Sequence, residues 1–245
     1  MKGAQRLRWS SASRTHIGMV RKVNEDALLD RPDLQLWAVA DGMGGHYAGD
    51  YASRCVVEAL NKVSASADLQ TFEAAVREQL AEVNRRLREE ASQLSGNHVI
   101  GSTAVVMLAS GSKGVCLWLG DSRLYRLGAD GLTQITRDHS RVQDWVDQGV
   151  LSAREAESHP FANVITRAIG AHDELQVDRA AFDIGAGDVF LLCSDGLTKA
   201  VLDPEIQHVL SDADEIEAVK ALTHLALVRG ATDNVTLVIA GAHAA

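Results

Sequence analysis

Apolar segments that border an aspartate recur along this chain, and they constrain its fold more than any other feature of the sequence. Three short hydrophobic runs are each followed by an aspartate within two positions, and a fourth is preceded by one; the runs are 36–40, 115–119, 189–193 and 235–239. Runs of this length are typical of buried β-strands. The sequence therefore predicts carboxylates at the ends of four buried strands, namely Asp41, Asp121, Asp195 and Asp233.

Carboxylates at neighbouring strand ends imply a positive partner. If these aspartates meet at one edge of a sheet, each raises the pKa of the others unless cations lie between them. Oxygen-only ligands of this kind suit hard divalent ions such as Mg²⁺ or Mn²⁺. For the stretch around Asp41 alone, a strand followed by a tight Asp-Gly turn is the more common interpretation. The recurrence of the pattern favours a metal site instead.

The length and composition indicate a single globular domain that spans residues 1–245. Hydrophobic residues make up 46% of the 245 residues and charged residues 23%, and no linker rich in Pro, Ser or Gly divides the chain. The formal charge of −9 argues against a nucleic-acid-binding protein, which usually presents a basic surface. No apolar run approaches the length of a membrane span. We expect a monomer that binds neither nucleic acid nor membrane.

The cysteines and the first residues of the chain predict a cytoplasmic location. Cys55, Cys116 and Cys193 are odd in number and lie in apolar surroundings without paired spacing, which is typical of buried, reduced thiols. Residues 1–13 include basic side chains but no apolar core after them, so they do not form a secretory signal.

Helical periodicity appears in three segments of the chain. Residues 46–63 present one apolar face, and a second helix, capped by Asp68, repeats apolar residues at steps of three and four over 72–87. The last helix is predicted over 215–228, with Gly230 as its C-terminal stop.

The strands in the middle of the chain follow one another directly. Strands 114–121, 123–128 and 131–135 leave no room for the crossover helices that a parallel Rossmann sheet needs. The pattern favours antiparallel sheets with helices outside them. Residues 15–26 are predicted to form a strand with a bend at Gly18. No Asp-x-Asp follows the central strand, which argues against haloacid-dehalogenase chemistry.

A long polar segment, 136–170, interrupts the strands and holds two short helical stretches. A connection of this length is more often functional than structural. It contains His139 and His159, which either contact substrate or are simply exposed.

Six short motifs complete the pattern: RKVNED (21–26), DGMGGH (41–46), GST (101–103), GDSR (120–123), SDGL (194–197) and DN (233–234). In this order they resemble the metal-dependent protein phosphatase family of the protein phosphatase 2C type, in its bacterial form. The resemblance implies an α+β fold, in which an antiparallel β-sandwich is flanked by α-helices on both sides in four layers, α-β-β-α. It also implies hydrolysis of phosphoserine and phosphothreonine in proteins, and 136–170 resembles the flap of the bacterial enzymes.

The resemblance assigns metal ligands. Asp41 resembles the carboxylate that bridges two metal ions, and Gly42 the residue that adds its backbone carbonyl. Asp195 and Asp233 resemble ligands of the first metal. Asp121 resembles the ligand of a third, weaker metal that it shares with Asp195; a purely structural role, paired with the two residues that follow it, is the alternative. The implied cofactors are two tightly bound Mn²⁺ or Mg²⁺ ions, with a third, weak site left open.

Four further residues are assigned on the same basis. Glu25 and Asp26 resemble outer ligands that act mainly through metal-bound water. Arg21 resembles the phosphate-binding arginine, whose planar fork can grip two phosphate oxygens. His46 is separated from Asp-Gly by three residues, whereas in the eukaryotic enzymes a histidine follows Asp-Gly directly. It is therefore either a general acid or a residue that orders the loop through a hydrogen bond.

Phosphoproteins are the implied substrates, and a separate Ser/Thr kinase with its targets is the implied partner. Two other functions stay open. A non-catalytic member would bind phosphoproteins or serve as a scaffold, although such a relative would be expected to have lost metal carboxylates that this chain retains. A metal phosphatase for small phosphorylated metabolites would be separated by comparing rates on a phosphopeptide and on sugar phosphates.

Overall fold

The computed structural model describes residues 7–44, 48–64, 66, 68–94, 99–157 and 159–245. His46, one of the predicted site residues, lies outside the described residues. Within them, the strands form two antiparallel sheets that pack face to face.

The first sheet has five strands. In spatial order they are β1 (Leu7–His16), β11 (Val235–Ala244), β10 (Val189–Cys193), β7 (Arg123–Gly128) and β8 (Gly131–Gln134). The first and last strands of the chain pair along their full length, because Leu7 lies opposite Ala244 and His16 lies opposite Val235. The C-terminal strand is therefore internal to the sheet, with β1 at the edge.

The second sheet combines strands from the first half of the chain with one from the second half. In spatial order its strands are β2 (Asp26–Arg31), β3 (Leu36–Met43), β5 (Ala104–Ser110), β6 (Lys113–Leu119) and β9 (Asp178–Asp183). The two-residue strand β4 (Gly101–Ser102) pairs with the end of β3. The strands β5 and β6 form a hairpin.

Alternation along β3 shows why the two sheets stack. Trp37 and Val39 point into the layer between the sheets, where they share a buried cluster with Val238 of β11. Ala38 and Ala40 point the other way and are buried beneath helices. Because successive side chains of a strand face opposite sides, a strand apolar at every position must be covered on both faces.

Two helices cover the outer face of the second sheet, α1 (Ala48–Leu60) and α2 (Leu69–Ser92). The predicted cap is confirmed, because Asp68 accepts a hydrogen bond from the backbone N–H of Thr71 at 3.0 Å. The predicted apolar face of 72–87 is buried against the sheet.

The outer face of the first sheet is covered by α5 (Asp195–Thr198), α6 (Asp203–Asp212) and α7 (Glu215–Val228). The helix predicted over 215–228 has those bounds, and Gly230 follows it with φ +77°. Two short helices, α3 (Arg141–Asp147) and α4 (Ala153–Glu157), lie in the flap segment 136–170. The predicted α-β-β-α arrangement is confirmed.

Two predictions about local structure differ from the fold. The bent strand expected over 15–26 is wrong, because β1 ends at His16 and residues 17–25 form a loop. Gly18 has φ +81°, and it lies so close to the carbonyl of Asp233 that no side chain would fit. The strand over 7–16 and the helix α6 were not predicted. No helix in the described residues is long and apolar enough to cross a membrane.

Candidate metal centre

The aspartates predicted at strand ends come together at one edge of the sandwich. Asp41 lies near the end of β3 and Asp121 follows β6, so the second sheet supplies both. Asp195 follows β10 and Asp233 precedes β11, so the first sheet supplies the others. Burial raises the pKa of Asp41 well above its ordinary value, and repulsion from Asp26 and from these three aspartates raises it further.

Burial also raises the pKa of three further carboxyl groups of the cluster, those of Asp26, Asp121 and Asp195. Burial raises the pKa of Asp26 to about 7, against the opposing effect of hydrogen bonds that include one from Ser194. Burial also raises the pKa of Asp121 to about 7, and repulsion from Asp195 adds to the shift. Without a cation, these groups would share protons near neutral pH.

Buried oxygens without partners indicate what the cluster lacks. Oδ1 of Asp26 and Oδ1 of Asp195 are buried and accept no hydrogen bond from any residue that the structure describes. An unsatisfied buried acceptor costs about 1–3 kcal/mol, and more if it is charged. A divalent ion among these oxygens would supply the missing partner, so the donor set fits Mg²⁺ or Mn²⁺.

Two aspartates of the cluster, Asp195 and Asp233, form ion pairs with cationic side chains. Lys199 donates to Oδ2 of Asp195 from one helical turn further along, and Arg21 Nη2 lies 2.9 Å from Oδ2 of Asp233. As the side chains stand, no three His, Cys, Asp or Glu residues in the described part of the chain are arranged to hold a metal ion. The sequence interpretation missed Lys199, although a lysine four residues after an aspartate in a helix is a recognisable ion-pair signal.

The loop that carries Arg21 is fixed by Asn234. The Asn234 side chain donates to the carbonyls of Ile17 at 2.9 Å and Val23 at 3.1 Å, and it accepts from the backbone N–H of Glu25 at 2.8 Å. The residue after a predicted metal ligand therefore holds both ends of the loop. The sequence interpretation recognised the Asp-Asn pair but gave Asn234 no role.

The 101–103 motif supports Asp41. The hydroxyl of Thr103 accepts from the backbone N–H of Asp41 at 3.0 Å, and the backbone N–H of Thr103 donates to the Asp41 carbonyl at 2.8 Å. Gly42 is packed between the carbonyls of Gly49 and Glu25, which leaves no space for a side chain. The backbone around the predicted bridging ligand is thus held rigidly.

Asp121 does not pair with the residues that follow it. The hydroxyl of Ser122 lies 2.8 Å from that of Thr103, and Arg123 binds Asp138 with Nη2 2.7 Å from Oδ2. These neighbours have their own partners, which leaves the Asp121 carboxylate facing the other acids of the cluster.

The flap segment is attached to the second sheet and covers a cavity of about 440 Å³. A short bridge joins Ser102 of β4 to Ile169 of the flap, and a second bridge, between Ser140 and Ile165, lies within the flap itself. The expectation that His139 is exposed is wrong: it is 7% exposed, and its Nδ1 accepts from the backbone N–H of Gly120 at 3.2 Å. His159 lies beside Trp145 on the flap, with ring centroids 5.1 Å apart.

A sequence model of the family described as "Protein phosphatase 2C" matches residues 15–226. The chain belongs to the protein phosphatase 2C family. It is similar to the serine/threonine protein phosphatase PstP of Mycobacterium tuberculosis, 38% identical over 233 residues, which cover 94% of this chain. The chain spans only 44% of the length of PstP. It is 33% identical over 239 residues to the serine/threonine phosphatase stp of Listeria monocytogenes, covering 92% of this chain and 93% of that protein.

Solved structures of protein phosphatase 2C relatives share the fold. "PppA, a key regulatory component of T6SS in Pseudomonas aeruginosa" superposes with a TM-score of 0.88 at 49% identity, covering 96% of this chain and 97% of that chain. The catalytic domain of PstP in complex with two manganese ions gives a TM-score of 0.85 at 36% identity, covering 97% and 99%. The predicted family and fold are therefore confirmed.

Proposed function

We propose that this chain hydrolyses phosphoserine and phosphothreonine in proteins with a water activated by two divalent ions. The ions would be Mn²⁺ or Mg²⁺, held by the carboxylates of Asp41, Asp195 and Asp233 and by the carbonyl of Gly42. The observation that carries the proposal is the buried, unpartnered oxygen of Asp195 inside a cluster of mutually repelling acids. When bound, the ions lower the pKa of water and neutralise the charge of the phosphate.

Arg21 binds and orients the phosphate. Its side chain is 49% exposed, and among the described residues its guanidinium donates through Nη2 to Asp233. A planar fork with several N–H donors matches two phosphate oxygens, which a lysine does not. Arg21 therefore holds the ester beside the metal ligands.

The remaining predicted site residues are proposed to orient water and to donate a proton. Glu25 and Asp26 would act on the ions through water, and the Ser194 hydroxyl orients the carboxylate of Asp26 with a hydrogen bond of 2.8 Å. His46 is retained as the proposed general acid for the leaving hydroxyl group, with ordering of the loop through a hydrogen bond as the alternative.

An exposed apolar surface beside Arg21 favours protein substrates over small metabolites. Met19 and Val20 are 62% and 65% exposed, directly before the arginine. Large apolar side chains at the rim of a charged site suit the residues that flank a phosphorylated serine or threonine. A sugar phosphate would gain nothing from them.

A cognate Ser/Thr kinase and its targets are the proposed partners, and we propose that the enzyme acts as a cytoplasmic monomer. The 49% identity to PppA, which is described as a regulatory component of T6SS, favours phosphoproteins of such a system as substrates.

The proposal is tested by comparing hydrolysis of a phosphothreonine peptide with hydrolysis of a sugar phosphate. We expect a higher kcat/KM for the peptide, loss of activity after chelation and dialysis, recovery on adding Mn²⁺, and no activity in Asp41→Asn. Full activity in the metal-free protein would refute the two-metal chemistry. A higher kcat/KM for the sugar phosphate would refute the proposed substrate class.

The apolar rim is tested with the double variant Met19→Ser, Val20→Ser. We expect KM for the phosphopeptide to rise roughly tenfold, because contact with the two side chains contributes about 1–2 kcal/mol. KM for p-nitrophenyl phosphate should stay the same. Val228→Ser, at an exposed valine on α7, is the matched control and should change neither value.

A further inference from the structure

Lys199 places a fixed positive charge inside the acidic cluster. It directly follows α5 as the C-cap residue, one turn after Asp195, and its ammonium group donates a hydrogen bond to Oδ2 of that aspartate. Its side chain is only 36% exposed, so much of its length is packed against the protein. The Lys199 side chain cannot move away from Asp195 without breaking the ion pair.

The charge of Lys199 acts on several acids at once. Burial alone would lower the pKa of Lys199, but attraction to Asp195, Asp121 and Asp233 raises it above its ordinary value. The effect is mutual, because Lys199 opposes the rise in the pKa of Asp121 that burial and nearby acids produce. The ion pair itself places this positive charge directly on Oδ2 of Asp195, one of the proposed metal ligands.

The two oxygens of Asp195 have different environments. Oδ2 is held by Lys199, whereas Oδ1 is buried and has no hydrogen-bond partner within the described part of the chain. One oxygen is thus left for a metal ion shared with Asp41 and Asp233. A further ion bound between Asp121 and Asp195 would need the oxygen that Lys199 holds, and it would meet the ammonium charge.

We propose that the ammonium group of Lys199 takes the place of a third divalent ion beside Asp121 and Asp195, so that this chain binds two metal ions and no third. The inference rests on the proposed two-metal function. It also answers the open question about Asp121, which on this inference is not a metal ligand.

Metal stoichiometry tests the inference independently of activity. Chelated and dialysed protein is titrated with Mn²⁺ alone, and bound Mn²⁺ per chain is followed by electron paramagnetic resonance until it no longer changes. We expect two ions for the wild type and two for Asp121→Asn. We expect three for Lys199→Asp, with the third ion weakly bound, and two again for Lys199→Asp combined with Asp121→Asn.

The control for added negative charge is Lys220→Asp, which changes an exposed lysine of α7 in the same way and should bind two ions. A wild type that binds a third ion, lost in Asp121→Asn, would overturn the inference. So would a folded Lys199→Asp protein that still binds two. If Lys199→Asp does not fold, Lys199→Asn gives the same comparison, and the wild-type count decides on its own.

The result also separates this inference from the proposed function. A wild type that binds no Mn²⁺ tightly would refute the two-metal function itself. A wild type that binds three ions would leave that function standing and refute only the role of Lys199.

Discussion

Arg21 and Asp233 form an ion pair, with Nη2 2.9 Å from Oδ2, that joins the proposed phosphate-binding residue to a proposed metal ligand. The pair is partly exposed, so its own contribution to stability is small. Its importance lies in position, because the arginine is held where the phosphate of a substrate would meet the metal ligands.

Arg21→Ala should weaken substrate binding more than turnover. A charge-assisted hydrogen bond contributes about 1.5–3 kcal/mol, so KM for a phosphopeptide should rise roughly ten- to hundredfold, with a smaller fall in kcat. Arg21→Lys should give an intermediate KM, since it keeps the charge but loses the fork. Arg8→Ala, at an exposed position on β1, is the control. An unchanged KM in Arg21→Ala would remove this residue from the phosphate site.

Asn234→Ala should raise KM although the residue is not proposed to touch phosphate. The substitution removes three hydrogen bonds that fix the Arg21 loop, at a cost of about 1–3 kcal/mol in the free energy of unfolding. Asn234→Asp keeps the acceptor for Glu25 but loses both donors, so it should be intermediate. Steady-state kinetics and urea unfolding measure the two effects. Lower stability with an unchanged KM would show that the loop holds Arg21 without Asn234.

Metal-free protein should lose stability as the pH rises through about 7. Asp26 and Asp121 have pKa values of about 7 in the fold, against about 3.9 when unfolded. The folded state therefore binds more protons between these values, and the free energy of unfolding falls as pH increases. Urea unfolding between about pH 4 and about pH 8, a range that brackets these pKa values, measures the trend.

Saturating Mn²⁺ should reverse that pH dependence, because the ligands must be deprotonated to bind an ion. Asp26→Asn should make the slope of the metal-free protein shallower, since one titrating group is lost. A metal-free protein with no fall in stability across the same range would contradict the picture of a repelling acid cluster.

Gly120→Ala should destabilise the protein more than Gly187→Ala. Both glycines have similar positive φ angles, +99° and +95°, so the backbone strain of the two substitutions is comparable. A methyl group at 120 would lie 2.5 Å from Cγ2 of Thr103, whereas a methyl group at 187 meets nothing within 4 Å. The difference between the variants, about 1–3 kcal/mol by thermal unfolding, measures the crowding against Thr103.

Because Thr103 supports Asp41, Gly120→Ala should also bind Mn²⁺ more weakly than Gly187→Ala. Equal Mn²⁺ affinity in the two variants would show that the 101–103 motif stabilises the fold without influencing the metal ligands.

The sequence was informative where local pattern decides structure. The helix α2 follows from its apolar spacing and its Asp68 cap, and the strand-end aspartates follow from fully apolar runs beside them. The edge strand β1 has no such signal, because its side chains are mostly half-buried and its sequence is polar. It is a strand because β11 lies beside it, a contact between the two ends of the chain.

The same limit applies to the site. Asp41, Asp121, Asp195 and Asp233 could be proposed from their positions in the sequence, but the roles of Asn234 and Lys199 could not. Asn234 acts on residues more than 200 positions away. Lys199 matters only because the fold brings Asp121 near its own ion pair.

The pairing of β1 with β11 has a consequence for biosynthesis. Among the elements described here, β1 is synthesised first and β11 last, so the first sheet cannot close until β11 has been synthesised. Folding that depends on contacts so distant in sequence is slow and leaves strand edges open in the meantime. Asp233 enters with β11, so the nascent chain acquires its complete acidic cluster only at the same late step.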